Sequence, residues 1–346
     1  MTKKRKIIVI TVCLITLICM GAATCFYAYR ILLHDNVQCK ENTLIYIPTH
    51  STYQQVIDSL KTNKILYNYN SFNRIAHLKK YPQKVKAGCY KITPSMSNNS
   101  IVNMLRSGNQ EPVRLTFNNI RTKKAFAKKI AGQLEITEEE ILNLLTDSRF
   151  TDQYHFDTNT ILTMFIPNTY EVWWNISAEN FMERMFNEYN KFWNQNRCQK
   201  AAELQMSKVE VAILASIVEE ENHLADEQPV IAGLYINRLR KGMLLQADPT
   251  LKYALNDFTI QRILNKDKEI ASPYNTYKYQ GLPPGPIRIP SIQAIDAVLN
   301  YAHHDYLYMC AKEDFSGRHN FAKTNAQHER NAAKYRHALN QRGIKR

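Results

Sequence analysis

A long uncharged segment near the N-terminus constrains this 346-residue chain more than any other feature. The four basic residues 3–6 are followed by residues 7–29, which contain no charged side chain. A helix needs roughly 20 apolar residues to cross the hydrocarbon core of a bilayer, so this segment is long enough to span it. Because basic flanks stay in the cytoplasm, residues 1–6 are expected to form a cytoplasmic tail and the rest to be exported.

A cleaved signal peptide is the alternative interpretation of this segment. The apolar run is longer than the usual signal-peptide core of roughly 7–15 residues, and no small-x-small cleavage site follows it. Cys25 could mark a lipoprotein, but Thr24 stands where a Gly or Ala is usually needed. The pattern therefore favours an uncleaved helix and a single-pass protein of the cytoplasmic (inner) membrane, with the rest of the chain outside the cytoplasm.

Composition narrows the possible partners. The chain is 45% hydrophobic and 22% charged, which is ordinary for a protein that buries a core. Its net charge of +14 is typical of proteins with an anionic partner such as nucleic acid, anionic lipid or an acidic polymer of the cell envelope, but charge alone does not choose among them. Outside residues 3–6 the basic residues are spread along the chain, which favours an ordinary solvated basic surface. We expect no nucleic acid, because no nucleic-acid-binding motif is present and export would place the domain on the wrong side of the membrane.

The cysteines outside the apolar segment do not indicate a metal site, because their wide spacing matches no ligand pattern. Disulfides are possible in an exported domain, but the sequence does not pair them. These cysteines are Cys39, Cys89, Cys198 and Cys310.

Residues 43–115 have the pattern of a small α/β module. Strands are predicted at residues 44–47 and 88–92. A helix capped by Ser51 or Thr52 and a second helix at residues 99–106 complete the module. Further helices are predicted at residues 122–134, after the capping box of Thr137 and Glu140, and at residues 178–193, while residues 165–170 are rich in turn formers.

Three adjacent glutamates end the next predicted helix, which begins at the capping box of Ser207 and Glu210. At about 100° per residue, Glu221 shares a helix face with apolar side chains, whereas Glu219 points nearly the opposite way and is expected to be solvated. A carboxyl group held against apolar side chains has a raised pKa and can donate a proton at neutral pH. The alternative for this stretch is an ordinary acidic helix end before a turn.

The segments after the glutamates supply polar loops. Asp226 is expected to cap the next helix, which carries Asn237 and Arg238 and is closed by Gly242. Residues 245–250 are predicted to form a polar loop. Residues 274–287 contain Tyr, Asn and a rigid Pro-Pro-Gly turn, a combination suited to sugars because hydroxyls need hydrogen bonds and ring faces stack on aromatic side chains.

Several of these segments resemble one family when they are taken in order. They are Ala-Ser-Ile-Val-Glu-Glu-Glu at 215–221, Ile-Asn-Arg-Leu at 236–239, Gly-Met at 242–243, Leu-Gln-Ala-Asp-Pro-Thr at 245–250, Tyr-Asn-Thr-Tyr at 274–277 and Gly-Leu-Pro-Pro-Gly-Pro-Ile at 281–287. Each motif is weak alone, but together they resemble the YceG-like, MltG-type endolytic murein transglycosylases. The resemblance spans most of the chain.

The resemblance implies an α+β fold with the following parts. After the tail of residues 1–6 come a transmembrane helix at 7–29, a LysM-like module at 40–115, a connecting part at 116–200 and a mixed α/β catalytic domain at 201–346. The implied activity is that of a lyase that cuts the β-1,4 bond between N-acetylmuramic acid and N-acetylglucosamine in nascent glycan strands. The cut would leave 1,6-anhydro ends and terminate strand elongation. The implied partners are peptidoglycan strands, the cell membrane and peptidoglycan synthases, with no metal or other cofactor.

The family's catalytic glutamate is the last acid of an Ile-x-Glu-x-Glu pattern, which corresponds to Glu221 at the end of a helix. The residues expected to bind substrate or support Glu221 are Glu219, Gln246, Asp248, Asn275 and Tyr277. Two positions depart from the family pattern: Asn168 replaces an Asp that often follows Pro167, and Asn222 replaces the Thr or Ser that commonly follows the catalytic glutamate.

Two alternative functions remain open from the sequence. A glycosidase that hydrolyses the bond uses two carboxylates, and Asp248 could be the second, although a cap or turn role before Pro249 explains it equally well. Such a chain would be a muramidase. The non-enzymatic alternative is a membrane-anchored glycan-binding scaffold that uses the LysM-like module alone.

Overall fold

The computed structural model of the chain describes residues 3–260 and 263–342. Residues 1–2 of the predicted tail, and residues 261–262 and 343–346 of the predicted catalytic domain, lie outside the described residues. The chain divides into two compact units. Unit 1 contains residues 3–115 and 170–176, and unit 2 contains residues 116–169 and 177–342.

Unit 1 begins with helix α1, Lys3–Leu32, which includes the predicted apolar segment. It is long and apolar enough to cross a membrane, and none of its side chains is buried within the protein. Its threonine hydroxyls donate hydrogen bonds to backbone carbonyl oxygens of the same helix. For example, Thr11 Oγ1 donates to the Ile7 carbonyl oxygen at 2.9 Å. The helix therefore presents few unpaired polar groups to its surroundings.

The rest of unit 1 is a two-stranded antiparallel sheet covered by helices. Strand β1, Thr43–Ile47, pairs with β2, Gly88–Ile92, so that Ile45 lies opposite Tyr90. The helices are α2, Tyr53–Thr62, α3, Tyr69–Leu78, and α4, Asn98–Ser107. The predicted strands and two of these helices are confirmed, while α3 was not predicted.

The first caps of unit 1 formed as their sequences indicate. Thr52 and Gln55 make a reciprocal capping box at the start of α2. Gly108 ends α4 with a φ of +74°, which a residue without Cβ adopts at little cost. One apolar core unites the sheet and helices, with Ile45, Leu60 and Phe72 almost fully buried in it.

Strands β3, Val113–Phe117, and β4, Asn168–Val172, pair in a second two-stranded sheet, and the residues of each strand divide between the two units. The turn-rich prediction for residues 165–170 is therefore wrong from Asn168 onward, where the chain is extended.

Unit 2 is mainly helical. Its first helices are α5, Lys123–Ala131, α6, Glu138–Thr146, α7, Ser148–Asp152, α8, Ala178–Phe192, and α9, Gln195–Glu203. Its later elements are α10, Lys208–Glu221, α11, Gln228–Arg240, α12, Asp248–Ala254, α13, Ile292–Leu299, the antiparallel hairpin of β5, Tyr308–Ala311, and β6, His319–Ala322, and finally α14, Asn325–Gln341. Short 3₁₀ helices occur at Tyr81–Gln83 in unit 1 and at Ile161–Met164 and Asn265–Glu269 in unit 2. The fold is thus a mixture of helices and strands, as expected.

Helix α10 is the central helix of unit 2 and packs against α11, α12 and α13. Ser207 and Glu210 form the predicted capping box at its start. Every residue from 211 to 219 is buried, so the helix is surrounded by protein on all sides rather than along one stripe. The predicted solvation of Glu219 is therefore wrong: its residue exposure is 8%.

Two local predictions after α10 are also wrong. Asp226 does not cap α11, because the capping position belongs to Glu227 and Asp226 pairs with Arg318 at 2.9 Å. The predicted loop at residues 245–250 ends early, because α12 begins at Asp248 with Pro249 in its first turn. Proline is well tolerated there because the first turn needs no amide donor.

Candidate active site

Glu221 is the last residue of α10 and stays partly accessible although the helix before it is buried. Its carboxylate faces α11, where the hydroxyl of the fully buried Tyr235 donates a hydrogen bond to Glu221 Oε1 at 2.5 Å. The packing of α10 against α11 therefore sets the orientation of this carboxyl group. It is held by a rigid donor rather than left free to rotate.

The surroundings of Glu221 favour its protonated form at neutral pH. Loss of hydration raises the pKa of Glu221 from 4.5 to about 7, and the negative charge of Asp248 adds to this increase. The Tyr235 hydrogen bond and the positive charges of Lys252 and Arg238 act in the opposite direction and lower the pKa. A carboxyl group that titrates near pH 7 can both donate and accept a proton at physiological pH.

Asp248 supplies a second carboxylate to the same neighbourhood. It lies in the first turn of α12, is exposed, and accepts a hydrogen bond at 2.5 Å from the hydroxyl of Tyr277. Burial raises the pKa of Tyr277, and the nearby Asp248 charge raises it further, so the phenol stays protonated and remains a donor. The structure thus brings together Glu221, Asp248 and Tyr277 from three distant parts of the chain.

Gln246 is exposed beside these groups and is positioned by its backbone. Its φ is +52°, and its amide nitrogen donates to the Thr276 carbonyl oxygen at 3.0 Å. Arg238, which is 7% exposed, donates to the Leu245 carbonyl oxygen at 2.8 Å and to Gln246 Oε1 at 3.3 Å. Arg238 therefore fixes this loop while its charge acts on Glu221.

Asn275 is completely buried, so its contacts lie within the protein. Its Nδ2 donates to the carbonyl oxygens of Lys268 and Ile270, each at 2.9 Å. Its Oδ1 accepts from the Tyr277 amide at 3.0 Å. These bonds favour a supporting role for Asn275, which holds Tyr277 in place, over direct contact with a ligand.

Glu219 and Glu220 belong to a buried charge network beside the site. Glu219 Oε2 accepts the Ser291 amide at 2.8 Å, at the start of α13. Arg288 lies 3.4 Å from Glu219 and 3.0 Å from Glu220. Arg121 also binds both oxygens of Glu220, at 2.8 and 3.0 Å. These contacts favour a role for Glu219 in fixing the end of α10 and so in supporting Glu221.

Asn222, which follows Glu221 directly, is also held by hydrogen bonds of its side chain. Its side-chain nitrogen donates to Glu227 Oε2 and to the Gly317 carbonyl oxygen, the latter at 2.9 Å. Glu227 in turn accepts the amide of His319 at 2.9 Å, and its other carboxylate oxygen lies 3.0 Å from His319 Nδ1. The polar residue after Glu221 thus ties the end of α10 to the β5–β6 hairpin.

Sequence reasoning missed Tyr235, Arg238 and Lys252 as neighbours of Glu221. A partial signal was present for two of them, because Tyr235 and Arg238 are three residues apart and so share one face of α11. That spacing could not reveal that the shared face meets the end of α10. Within residues 3–260 and 263–342, no group of three or more His, Cys, Asp and Glu side chains could hold a metal ion.

All seven cysteines are free thiols in the described chain. The four outside the apolar segment, for which the sequence allowed disulfides without pairing them, are among these free thiols: Cys39, Cys89, Cys198 and Cys310.

The geometry defines an acid–base site centred on one carboxyl group with a raised pKa. A family model described as the YceG-like family matches residues 45–334, which include every residue of this site, and the chain belongs to that family.

Named relatives and a solved structure agree with this assignment. The chain is 29% identical to an endolytic murein transglycosylase of Bacillus subtilis, over 88% of this chain and 87% of that one. It is 28% identical to an endolytic murein transglycosylase of Streptococcus pneumoniae, over 89% of this chain but 61% of that longer protein. A crystal structure of a YceG-like protein from Listeria monocytogenes shares 28% identity and a TM-score of 0.55, covering 84% of this chain and 99% of the other.

Proposed function

We propose that this protein is an endolytic peptidoglycan transglycosylase, a lyase whose catalytic residue is Glu221. The observation that carries the proposal is the partly accessible Glu221 carboxyl group, whose pKa is raised to about 7. The relatives named as endolytic murein transglycosylases support the same activity and substrate class.

The proposed reaction uses Glu221 twice. The protonated carboxyl group first donates its proton to the glycosidic oxygen, so that the N-acetylglucosamine leaves as a neutral alcohol. The resulting carboxylate then accepts the proton of the muramic acid C6 hydroxyl as that oxygen bonds to C1 of the same sugar. The product is a 1,6-anhydro end, no water is consumed, and Glu221 regains its proton.

Intramolecular attack makes a second carboxylate unnecessary, because the C6 hydroxyl is already held beside C1 at a high effective concentration. In this proposal Tyr235 orients Glu221. Gln246, Asp248 and Tyr277, which lie around it, bind the glycan, while Glu219 and Asn275 support the site from within the protein.

Hydrolysis by a muramidase is the second candidate, and the charge of Asp248 favours it. Asp248 lies close enough to Glu221 to raise the pKa of Glu221, as a partner carboxylate would. Its carboxylate accepts a hydrogen bond from Tyr277, which would fix its orientation. The two reactions differ by one water in the product.

We further propose that α1 anchors the protein in the cytoplasmic membrane, with residues 40–115 forming a LysM-like module and residues 201–346 the catalytic domain outside the cytoplasm. The connecting part is residues 116–200. The length and apolar surface of α1 support the anchor. An enzyme held in this way would cut new strands near the membrane and end their elongation, which makes peptidoglycan synthases its expected neighbours.

The test digests purified, uncut peptidoglycan with the full chain and weighs the products. We expect shortened strands with 1,6-anhydro ends; reducing muramic acid ends alone would instead establish hydrolysis. Glu221→Gln should lower the rate by roughly 10²–10⁴-fold or more, because the substituted amide cannot donate the proton. Glu203→Gln, at an exposed position on α9, is the matched control and should cut normally. A Glu221→Gln variant that cuts at the normal rate would refute the assignment.

A further inference from the structure

The net charge of the chain is concentrated at its N-terminal end. Residues 31–115 contain eleven Lys and Arg against four Asp and Glu, whereas residues 116–346 contain 29 against 27. Residues 116–346 are thus nearly neutral, and the part of unit 1 that follows α1 is strongly basic. A basic surface restricted to this part of the chain indicates an anionic partner that unit 1 meets and that the catalytic function does not explain.

The end of α1 is joined to the rest of unit 1 by packing contacts as well as by the chain. Ile31 and Leu32 pack against its core. The buried Asn98 donates to the Ile31 carbonyl oxygen at 2.8 Å and accepts a hydrogen bond from Asn36 at 2.7 Å. These contacts fix the direction in which α1 leaves unit 1, so a membrane around α1 would lie at a defined place on its surface.

The exposed face of α3 lies beside α1. The Arg74 guanidinium, on that face, donates to the hydroxyl of Tyr27, which lies more than one turn before the end of α1. Phe72, Ile75 and Ala76 form the opposite, buried face of α3. Arg74 therefore reaches the segment of α1 that carries the aromatic residues expected at the membrane interface.

Two large apolar side chains flank Arg74 on the exposed side. Tyr67, just before α3, is 70% exposed, and Leu78, at its end, is 72% exposed. Lys79 and Lys80 follow Leu78 directly. Tyr, Leu and basic residues together are typical of protein surfaces that lie in the interfacial layer of a bilayer, with the apolar groups among the acyl chains and the cations at the headgroups.

We infer that one face of unit 1 lies on the outer leaflet of the cytoplasmic membrane and binds anionic phospholipid headgroups. This face, which we call the α3 face, is formed by Tyr67, Arg74, Leu78, Lys79 and Lys80. This inference rests on the proposed membrane anchor and goes beyond it. Lys79 and Lys80 would supply the electrostatic part of this contact, and Leu78 the apolar part. Unit 1 would then be held against the bilayer by its own surface and not by α1 alone.

The test uses the full chain reconstituted in phosphatidylglycerol vesicles, with the photoreactive residue benzoylphenylalanine in place of Leu78. Mass spectrometry after illumination should detect a lipid adduct at position 78. The same residue in place of Gln54, which is exposed on α2, is the matched control and should give no adduct. In phosphatidylcholine vesicles the adduct at position 78 should fall.

Charge reversal separates headgroup binding from simple nearness to the bilayer. Lys79→Glu with Lys80→Glu should reduce the adduct by roughly tenfold or more, because each reversal replaces attraction by repulsion. Lys61→Glu with Lys64→Glu makes the same change in net charge at exposed positions in the last turn of α2 and just after it, and should leave the adduct unchanged. Near-UV circular dichroism establishes that each variant is folded.

Three results would overturn the inference: no lipid adduct at position 78, an equal yield in both lipids, or, in whole cells, adducts with a wall polymer in place of lipid. Failure of the anchor itself gives a different result. If α1 does not span the bilayer, a carbonate wash releases the chain from the vesicles, whereas an anchored chain with a free α3 face stays bound and forms no adduct.

Discussion

At the scale of single residues, Glu221 combines partial access to solvent with poor hydration of its carboxylate. The first property lets a substrate reach it, and the second keeps it protonated near neutral pH. Tyr235 opposes the second effect, because its hydrogen bond stabilises the charged form. The phenol therefore both orients the carboxyl group and limits how far its pKa rises.

Removal of the Tyr235 hydroxyl tests this balance. Tyr235→Phe should raise the pKa of Glu221, because the carboxylate loses a donor, and should move the alkaline limb of the pH–rate profile to higher pH. The loss of orientation should also lower kcat by roughly tenfold, the effect of one hydrogen bond to a charged group. The measurement is the pH dependence of glycan cleavage. Tyr189→Phe, in the buried part of α8, is the control, and an identical alkaline limb in Tyr235→Phe and wild type would contradict the role.

The raised pKa of Glu221 also has a cost in stability that depends on pH. Its folded-state pKa of about 7 exceeds the reference value of 4.5, so the folded state binds the proton more tightly. The stabilising contribution of protonation is complete below pH 4.5 and is lost as the pH rises through 7. Above pH 7 the native protein therefore carries a poorly hydrated charge.

Glu221→Gln should consequently stabilise the protein at pH 8, by up to about 3 kcal/mol as a difference of this size in pKa implies. The gain should disappear as the pH falls toward 4.5. Thermal unfolding of the full chain in detergent, followed at both pH values, measures it as a difference in Tm. Glu220→Gln is the contrasting variant and should lower the Tm, because it removes the pairing of the Glu220 carboxylate with two arginines. Equal Tm values for Glu221→Gln and wild type at pH 8 would show that ionised Glu221 does not destabilise the folded protein.

At the scale of elements, the end of α10 is held from both sides by polar contacts to distant segments. Arg121 and Arg288 pair with the glutamates before Glu221, and Asn222 reaches the β5–β6 hairpin through Glu227. An acidic run at a helix C-terminus is unfavourable in the field of the helix dipole. The two arginines compensate for that field and for the burial of the carboxylates.

Arg288→Met tests the network, since the Arg288 side chain is 4% exposed. The substitution leaves Glu219 without its cation and Glu220 with Arg121 alone. We expect the free energy of unfolding to fall by about 3–5 kcal/mol, because a buried charge loses its partner. Arg184→Met breaks an exposed pair with Glu188 and should change stability by less than about 1 kcal/mol. Similar denaturation midpoints for the two variants would contradict the importance of the buried network.

At the scale of the whole molecule, the chain divides into a basic unit and a nearly neutral unit that contains the candidate active site. The uncharged helix α1 belongs to the basic unit. We expect the intact chain to remain in the pellet when membranes are washed with carbonate at high pH, because the apolar surface of α1 cannot leave the bilayer without large hydration cost. Release of the intact chain into the supernatant would rule out the anchor.

Much of the local structure follows from short-range patterns. The cap at Thr52 and the capping boxes at Thr137 and Ser207 form as predicted, because a cap and its partner three residues later meet within one helical turn. The predicted start of α11 was wrong because Asp226 could either cap the helix or pair with a distant cation. Asp226 is a good capping residue, but Arg318 from the hairpin pairs with it and the helix starts later.

The sequence by itself determined the apolar segment and the start and end of α10. Each of these depends on spacing along one helix, which a linear pattern contains. Only the tertiary structure decided that Glu219 is buried, that Tyr235 donates to Glu221 across 14 residues, and that Tyr277 donates to Asp248 across 29. The physical reason is that such contacts depend on which faces of α10, α11 and α12 meet, and the core that brings them together is contributed by the whole unit.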